Sequence, residues 1–210
     1  MKTRSLMLFV LAMAFTAACS APLPSLNPLW DESHQVAFPE LAGLWISKDV
    51  SSTVRFAAAE NGIYKVIYTS EGEVSLYETL PVLLGDMVFL DLYPDEKMLE
   101  NRFSDKGYLP LIPTHFFAYT VLEGDSLNLA ILVEEGVKER AERGELDIPL
   151  QIFDGGVLLT ADTGSIQRFV EELAKNHNPW VSQNASGCSQ GNKSDCIWAT
   201  MVFTRAPITP

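Results

Sequence analysis

Positive charge is scarce in this chain: 15 Lys and Arg face 27 Asp and Glu, for a formal net charge of -12. No basic stripe forms, which argues against nucleic acid as a partner, because binding it relies on clustered Lys and Arg that replace phosphate counterions. Cysteine and histidine are equally sparse, with three of each. They do not stand at zinc-site spacing. Asp86, Asp91, Asp95 and Glu96 lack a calcium-loop pattern and read as solvated strand and loop ends. No metal or cofactor is expected. Beyond the first 15 residues there is no apolar run long enough to span a bilayer as a helix. Hydrophobic residues nevertheless make up 47% of the chain, enough for one well-filled core.

What is present starts at the front. Lys2 and Arg4 give a basic start, Leu6 to Phe15 is an almost unbroken apolar run, and Thr16-Ala17-Ala18 are small residues leading into Cys19. An apolar run of that length is too short for a bilayer span and suits an export signal. The stretch resembles the lipobox of bacterial lipoproteins, in which a peptidase cuts just before the cysteine and the thiol receives a diacylglycerol. The family's usual Leu three places before that cysteine is Thr16 here. The resemblance implies a lipoprotein signal peptide over residues 1–18 and lipidation of Cys19, with palmitate and diacylglycerol as the membrane partner. Ser20, in place of an Asp, implies the outer membrane, facing the periplasm. The alternative is an ordinary secretory peptide cut after Ala18 or at a later small residue. Removing residues 1–18 deletes Lys2 and Arg4 and no acid, so -12 becomes -14.

Cys188 and Cys196 flank a short Gly, Ser and Asn-rich segment. In an oxidising compartment they are expected to pair, leaving Cys19 as the odd thiol. Such a bridge stabilises by about 2–3 kcal/mol. Residues 19–40 read as a lipidated N-terminus and Pro-rich tether, kept extended by Pro22, Pro24, Pro28 and Pro39. Leu26, Leu29 and Trp30 either pack back on the domain or lie at the membrane interface. Residues 41–210 then form a single β-rich domain.

Within it, short segments rich in β-branched and aromatic residues recur: 43–48, 53–58, 63–69, 74–79, 87–92, 115–122, 126–133, 149–153, 156–160 and 197–205. Glu60-Asn61-Gly62, Ser70-Glu71-Gly72 and Gly85-Asp86 read as tight turns between them. Tyr64, Val66 and Tyr68 share one strand face, and Ile63, Lys65 and Ile67 the other. Two helices interrupt the pattern. Glu134 to Arg143 is mostly charged and suits a surface. Ser165 to Asn176, capped by Asp162 or Thr163, carries Ile166, Phe169, Val170 and Leu173 on one stripe that should dock on the sheet.

The fold class is therefore mainly β with a minor α component: an antiparallel meander of about 8–10 strands that closes to avoid open edges, with a C-terminal helix packed on it. Gly43-Leu44-Trp45, opening the first strand after an irregular leader, resembles the Gly-x-Trp signature of lipocalin barrels. That resemblance implies a tryptophan plugging the closed end, a late helix packed outside, and an interior for an apolar ligand. A plain core tryptophan is the alternative for Trp45. The charged helix near Glu134 and the loop after Trp180 do not belong to the family's pattern.

Catalytic patterns are thin. Gly124-Asp125-Ser126-Leu127 spells the nucleophile motif of GDSL esterases, but the only Asp-x-x-His, Asp31 to His34, lies upstream of it, and Gly-Asp between two strands is ordinary turn chemistry. No enzyme activity is expected, and an esterase is the remote alternative. His34 in the leader and His177 at a helix end read as solvated or dipole-compensating. His115, in an apolar setting, reads as a satisfied core or rim histidine. Two functions remain. One is a lipocalin-like carrier or sensor of a small apolar molecule, with Tyr64, Tyr68, Phe89, Phe117, Tyr119 and His115 as candidate ligand-binding residues. The other is an envelope protein–protein interaction module with a filled core.

Overall fold

The computed structural model describes residues 21–95, 113–154, 156–177, 179–180 and 196–207. The signal segment, Cys19, Ser20, Glu96 and Cys188 lie outside the described residues. The strands are β1 (Gly43–Ser47), β2 (Ser52–Ala58), β3 (Tyr64–Ser70), β4 (Glu73–Leu84), β5 (Met87–Pro94), β6 (Phe116–Glu123), β7 (Ser126–Leu132), β8 (Leu150–Phe153), β9 (Gly156–Leu159) and β10 (Trp198–Arg205). Helix α1 (Glu134–Glu142) follows β7, and helix α2 (Thr163–Asn176) follows β9.

Eight strands close into an antiparallel barrel in which β1 to β7 follow chain order and β10 fills the gap between β7 and β1. The seam pairs Trp45 with Arg205 on one side and Leu129 with Met201 on the other. Closure leaves no edge for another chain to extend. Strand β4 continues past the expected Thr79 and through Pro81. Its pairing with β3 ends at Thr79, so the missing N–H of Pro81 removes no bond from that ladder. There the leader takes over, with Val36 N donating to the Pro81 carbonyl at 3.2 Å.

Alternation sorts the side chains into two cores. Trp45, Val54, Phe56, Val66, Leu90, Leu92, Leu129 and Phe203 fill the barrel. In β3 the buried residues Tyr64 and Val66 alternate with outward Lys65 and Ile67, as the sequence pattern requires. The second core lies outside the wall formed by β4, β5 and β6. Val82, Leu84, Met87, Phe89 and Phe117 pack there with Ile166, Val170 and Leu173 of α2, and with Leu23 and Leu29. Asp162 caps α2 by accepting the Ser165 N–H at 3.0 Å. The α2 stripe is thus committed to the barrel wall.

The leader is extended and docked as a strap: Leu29 and Trp30 pack back on the domain, one of the two readings open for them, while Leu26 is exposed. Leu23, Ser25 and Leu29 are fully buried. Ser25 and His115 exchange both backbone bonds at 2.9 Å, Leu23 N donates to Leu132 O at 2.8 Å, and Leu26 N donates to Leu159 O at 3.0 Å. Four prolines do not prevent this, because an extended strap needs only some of its N–H groups for pairing.

One end of the barrel is closed. A single turn, Pro39–Leu41, crosses it and buries Leu41, whose carbonyl accepts Trp45 Nε1 at 2.9 Å. The Arg205 guanidinium lies 4.1 Å from the Trp45 ring centroid and donates to the carbonyls of Ala42 at 2.9 Å and Glu40 at 2.6 Å. Gly43 is required here for two reasons. Its φ is +139°, and a Cβ would stand 2.9 Å from Arg205 Nη1. At the other end, the mouth, lie the β1–β2 and β3–β4 turns and the junctions around Val133.

Candidate functional site

Inside the barrel, between the Trp45 plug and the mouth, is an apolar cavity of about 190 Å³. Its wall is built from inward residues of seven strands, including Phe56, Val66, Tyr68, Tyr77, Leu90, Phe116, Ala118, Ile131 and Met201, and Pro22 of the strap reaches it. Ala118 leaves much of the room: its neighbours across the ladder are Leu90 and Ile131, and its own methyl group fills little of the space between them. Tyr77 and Phe116 meet edge to face, with centroids 5.2 Å apart, toward the mouth. An interior of eight strands is just wide enough for side chains to fill, so one small residue suffices to open a void.

Of the six residues expected to bind a ligand, Tyr68 lines this cavity. Tyr64 is inside the barrel but turned to the closed end, where its hydroxyl donates to Phe38 O at 2.9 Å and burial raises its pKa. Phe89, Phe117 and Tyr119 are not interior residues. They face outward into the layer under α2, and Tyr119 stacks at 5.2 Å on Phe89 and 5.7 Å on Trp180. Strand β5 is apolar on both faces because it is covered on both, so composition there does not reveal which parity points in.

His115 also lies on the outer wall. Its Nδ1 is 2.7 Å from Asp91 Oδ1, and its ring lies 4.6 Å from Tyr93. Asp91, expected to be solvated, is buried, and its Oδ2 accepts the backbone N–H groups of Leu29 at 2.7 Å and Trp30 at 3.3 Å. Asp95, also expected to be solvated, is buried and pairs with Lys65 at 2.9 Å. The Asp91–His115 pair borders a recess of about 170 Å³ with Trp30, Leu80 and Tyr93. Thr79, also in that wall, donates its hydroxyl to Asp91 O at 2.8 Å. The geometry is that of a clamp holding the strap to β5 and β6, with His115 satisfied by its neighbour.

A second clamp joins strap and helix. Gln167 of α2 donates to Leu29 O at 2.9 Å and to Asp31 Oδ2 at 3.0 Å, while Asp31 Oδ1 receives Ser33 and His34. Hydrogen bonds from Ser33, Gln167 and His34 hold the Asp31 carboxyl well below the usual carboxylate range. Asp31 and His34 are thereby committed to the strap. Ser126 of the Gly-Asp-Ser-Leu segment opens β7 after a hairpin turn in which Gly124 has φ +58°. A further concavity, about 490 Å³, is a polar groove between the α1–β8 connection and α2, bordered by Glu145, Arg168 and Glu172. Among the described residues no group of three or more His, Cys, Asp or Glu could hold a metal ion, and no helix is long and apolar enough to cross a membrane. Cys196 is buried at the start of the segment leading into β10.

Sequence reading missed most of the lining, Tyr77, Phe116, Ala118, Ile131 and Met201 among it, and also Arg205 behind the plug, whose partner Trp45 is far away in the chain with no local pattern to join them. Comparison with protein-family models, with curated proteins and with solved structures finds no match to this chain.

Proposed function

We propose that this is a lipid-anchored protein of the bacterial cell envelope, moored through Cys19 on the periplasmic side of the outer membrane, whose barrel takes a small apolar molecule or the end of a longer one. The observation that carries the ligand reading is the apolar cavity of about 190 Å³, walled by aliphatic and aromatic side chains with two tyrosines toward the mouth. It is smaller than the roughly 300–1,000 Å³ of sites for drug-sized ligands, and resembles the ~150 Å³ apolar cavities that stay dry and admit benzene. A single ring or a short acyl end is the size that fits. The Gly43-Leu44-Trp45 segment and its buried tryptophan support a lipocalin-like reading of the barrel, and pairing of Cys196 with Cys188 is part of the same extracytoplasmic reading.

The test is displacement of a fluorescent apolar reporter from the mature chain by short fatty acids and simple aromatics, with native mass spectrometry of protein extracted from membranes. A retained small molecule and a displaceable signal are expected; a mature chain with neither sinks the carrier reading. The filled-core interaction module is then the better account, and the extent to which Trp45, Phe56 and Phe203 already occupy the interior favours it.

A further inference from the structure

The strap fixes how far the body can stand from its anchor. From Ala21 onward the chain is bound to the barrel: Ala21 O accepts the Glu134 N–H at 3.0 Å, Pro22 bridges Val133, and Leu23 is fully buried. Only two peptide links separate Cys19 from Ala21, and covalent geometry limits their span to about 7–8 Å. Given the acylation of Cys19 proposed above, Ala21 therefore sits on the order of 10 Å from the lipid headgroups.

Strand directions say which end of the barrel is beside Ala21. It is the mouth: β7 ends there, β10 begins there, and Val133 N donates to Ile197 O at 2.9 Å. The β8–β9 hairpin points the same way. The strap runs parallel to β9, with Ser25 opposite Leu159, which brings Gly156 level with Pro22. A Cβ on Gly156 would stand 2.5 Å from the Glu134 carboxylate, next to Ala21.

The described residues carry a second, independent sign at this end. The three most exposed large apolar side chains are Val50 at 74%, Val74 at 60% and Phe153 at 48%, in the β1–β2 turn, beside the β3–β4 turn, and at the β8–β9 tip. All three belong to the mouth. Val50 has φ +59°, a conformation costly for a β-branched residue and one that turn chemistry alone would give to Gly or Asn. Among the described residues, the turns of this rim carry Asp49, Glu71, Glu73 and Asp154, with Lys48 beside Asp49. The acidic balance of these described turns disfavours anionic headgroups and fits a zwitterionic surface.

We propose that the acylated chain stands mouth-down on a zwitterionic lipid surface, with Val50, Val74 and Phe153 at the interface and the Pro22 end of the cavity turned toward the bilayer, so that its ligand exchanges with the membrane. The acyl chains supply the attachment and the rim supplies the orientation. The far end, with its Asn61 and Asp125 turns, is a strand length away, on the order of 20 Å for a strand of this size.

The test uses the full chain, acylated in its host and reconstituted in phosphatidylcholine vesicles, with a fluorescent amino acid replacing Val50, Phe153, Asn61 or Asp125 in turn. Spin-labelled lipid should quench the labels at 50 and 153 and spare those at 61 and 125. A long Gly-Ser insert between Ser20 and Ala21 should remove the contrast while the mass still shows the acyl group. Equal quenching at both ends, or stronger quenching at 61 and 125, in protein whose mass confirms acylation overturns the orientation. A mass showing an unmodified Cys19 in membrane-extracted protein overturns the anchoring reading itself, and the orientation with it.

Discussion

Replacing Ala118 with leucine adds three carbons at the smallest side chain lining the barrel cavity. The Ala118 side chain is 1% exposed, is flanked across the ladder by Leu90 and Ile131, and borders the void of about 190 Å³. Burying three more carbons in free space is worth about 0.8 kcal/mol each, or roughly 2.4 kcal/mol. Imperfect fit in a packed wall takes back about 1 kcal/mol. The expected net is a stabilisation of about 1–2 kcal/mol, which raises the Tm of a domain this size by roughly 2–8 °C. The same leucine occupies the ligand's place, so reporter affinity should fall at least about tenfold, the equivalent of 1.4 kcal/mol. Thermal unfolding and reporter titration on the same preparation read both quantities. A lower Tm would mean the void is not there to be filled. Unchanged reporter affinity in a stabilised variant would mean that the ligand binds elsewhere.

The strap offers two further tests. Asp91→Ala leaves the buried N–H of Leu29 and the half-buried N–H of Trp30 without their acceptor, at about 1–3 kcal/mol for the buried one, and should expose residues 21–38 to proteolysis while the barrel stays resistant. Asp31 has a pKa depressed below its ordinary 3.8, so its contribution is present above that value and is lost as pH falls below it. Strap cleavage should rise in acid below about pH 3.8, and Asp31→Asn should show elevated cleavage already at neutral pH with no such acid step.

How far the sequence discloses this architecture varies from strand to strand. In β3 an apolar face alternates with a wet one, and Tyr64, Val66, Lys65 and Ile67 reveal their sides directly. Strand β5 gives no such contrast: the core fills one face and the strap and α2 cover the other, so Met87 to Leu92 reads as an apolar run. That is why Phe89 and its neighbours Phe117 and Tyr119 cannot be assigned to the cavity or the wall by inspection. Asp91 was the available signal. A carboxylate inside such a run, in a buried strand, demands donors, and the donors proved to be the strap and His115. The Arg205–Trp45 stack is invisible locally because it depends on closure of the barrel, which pairs residues far apart in sequence. Helix α2, by contrast, is set by its own stripe and its Asp162 cap, both local.

Strand β10 fills the gap between β1 and β7, yet residues 133–197 intervene before it in the chain. During synthesis the first seven staves therefore emerge with two raw margins, and they stay exposed while both helices and the outer hairpin are made. Pairings so remote in sequence are slow to form, and until they do the intermediate is vulnerable to joining another copy of itself. The cylinder cannot close until β10 is in place, and that closure is what sets Arg205 over Trp45.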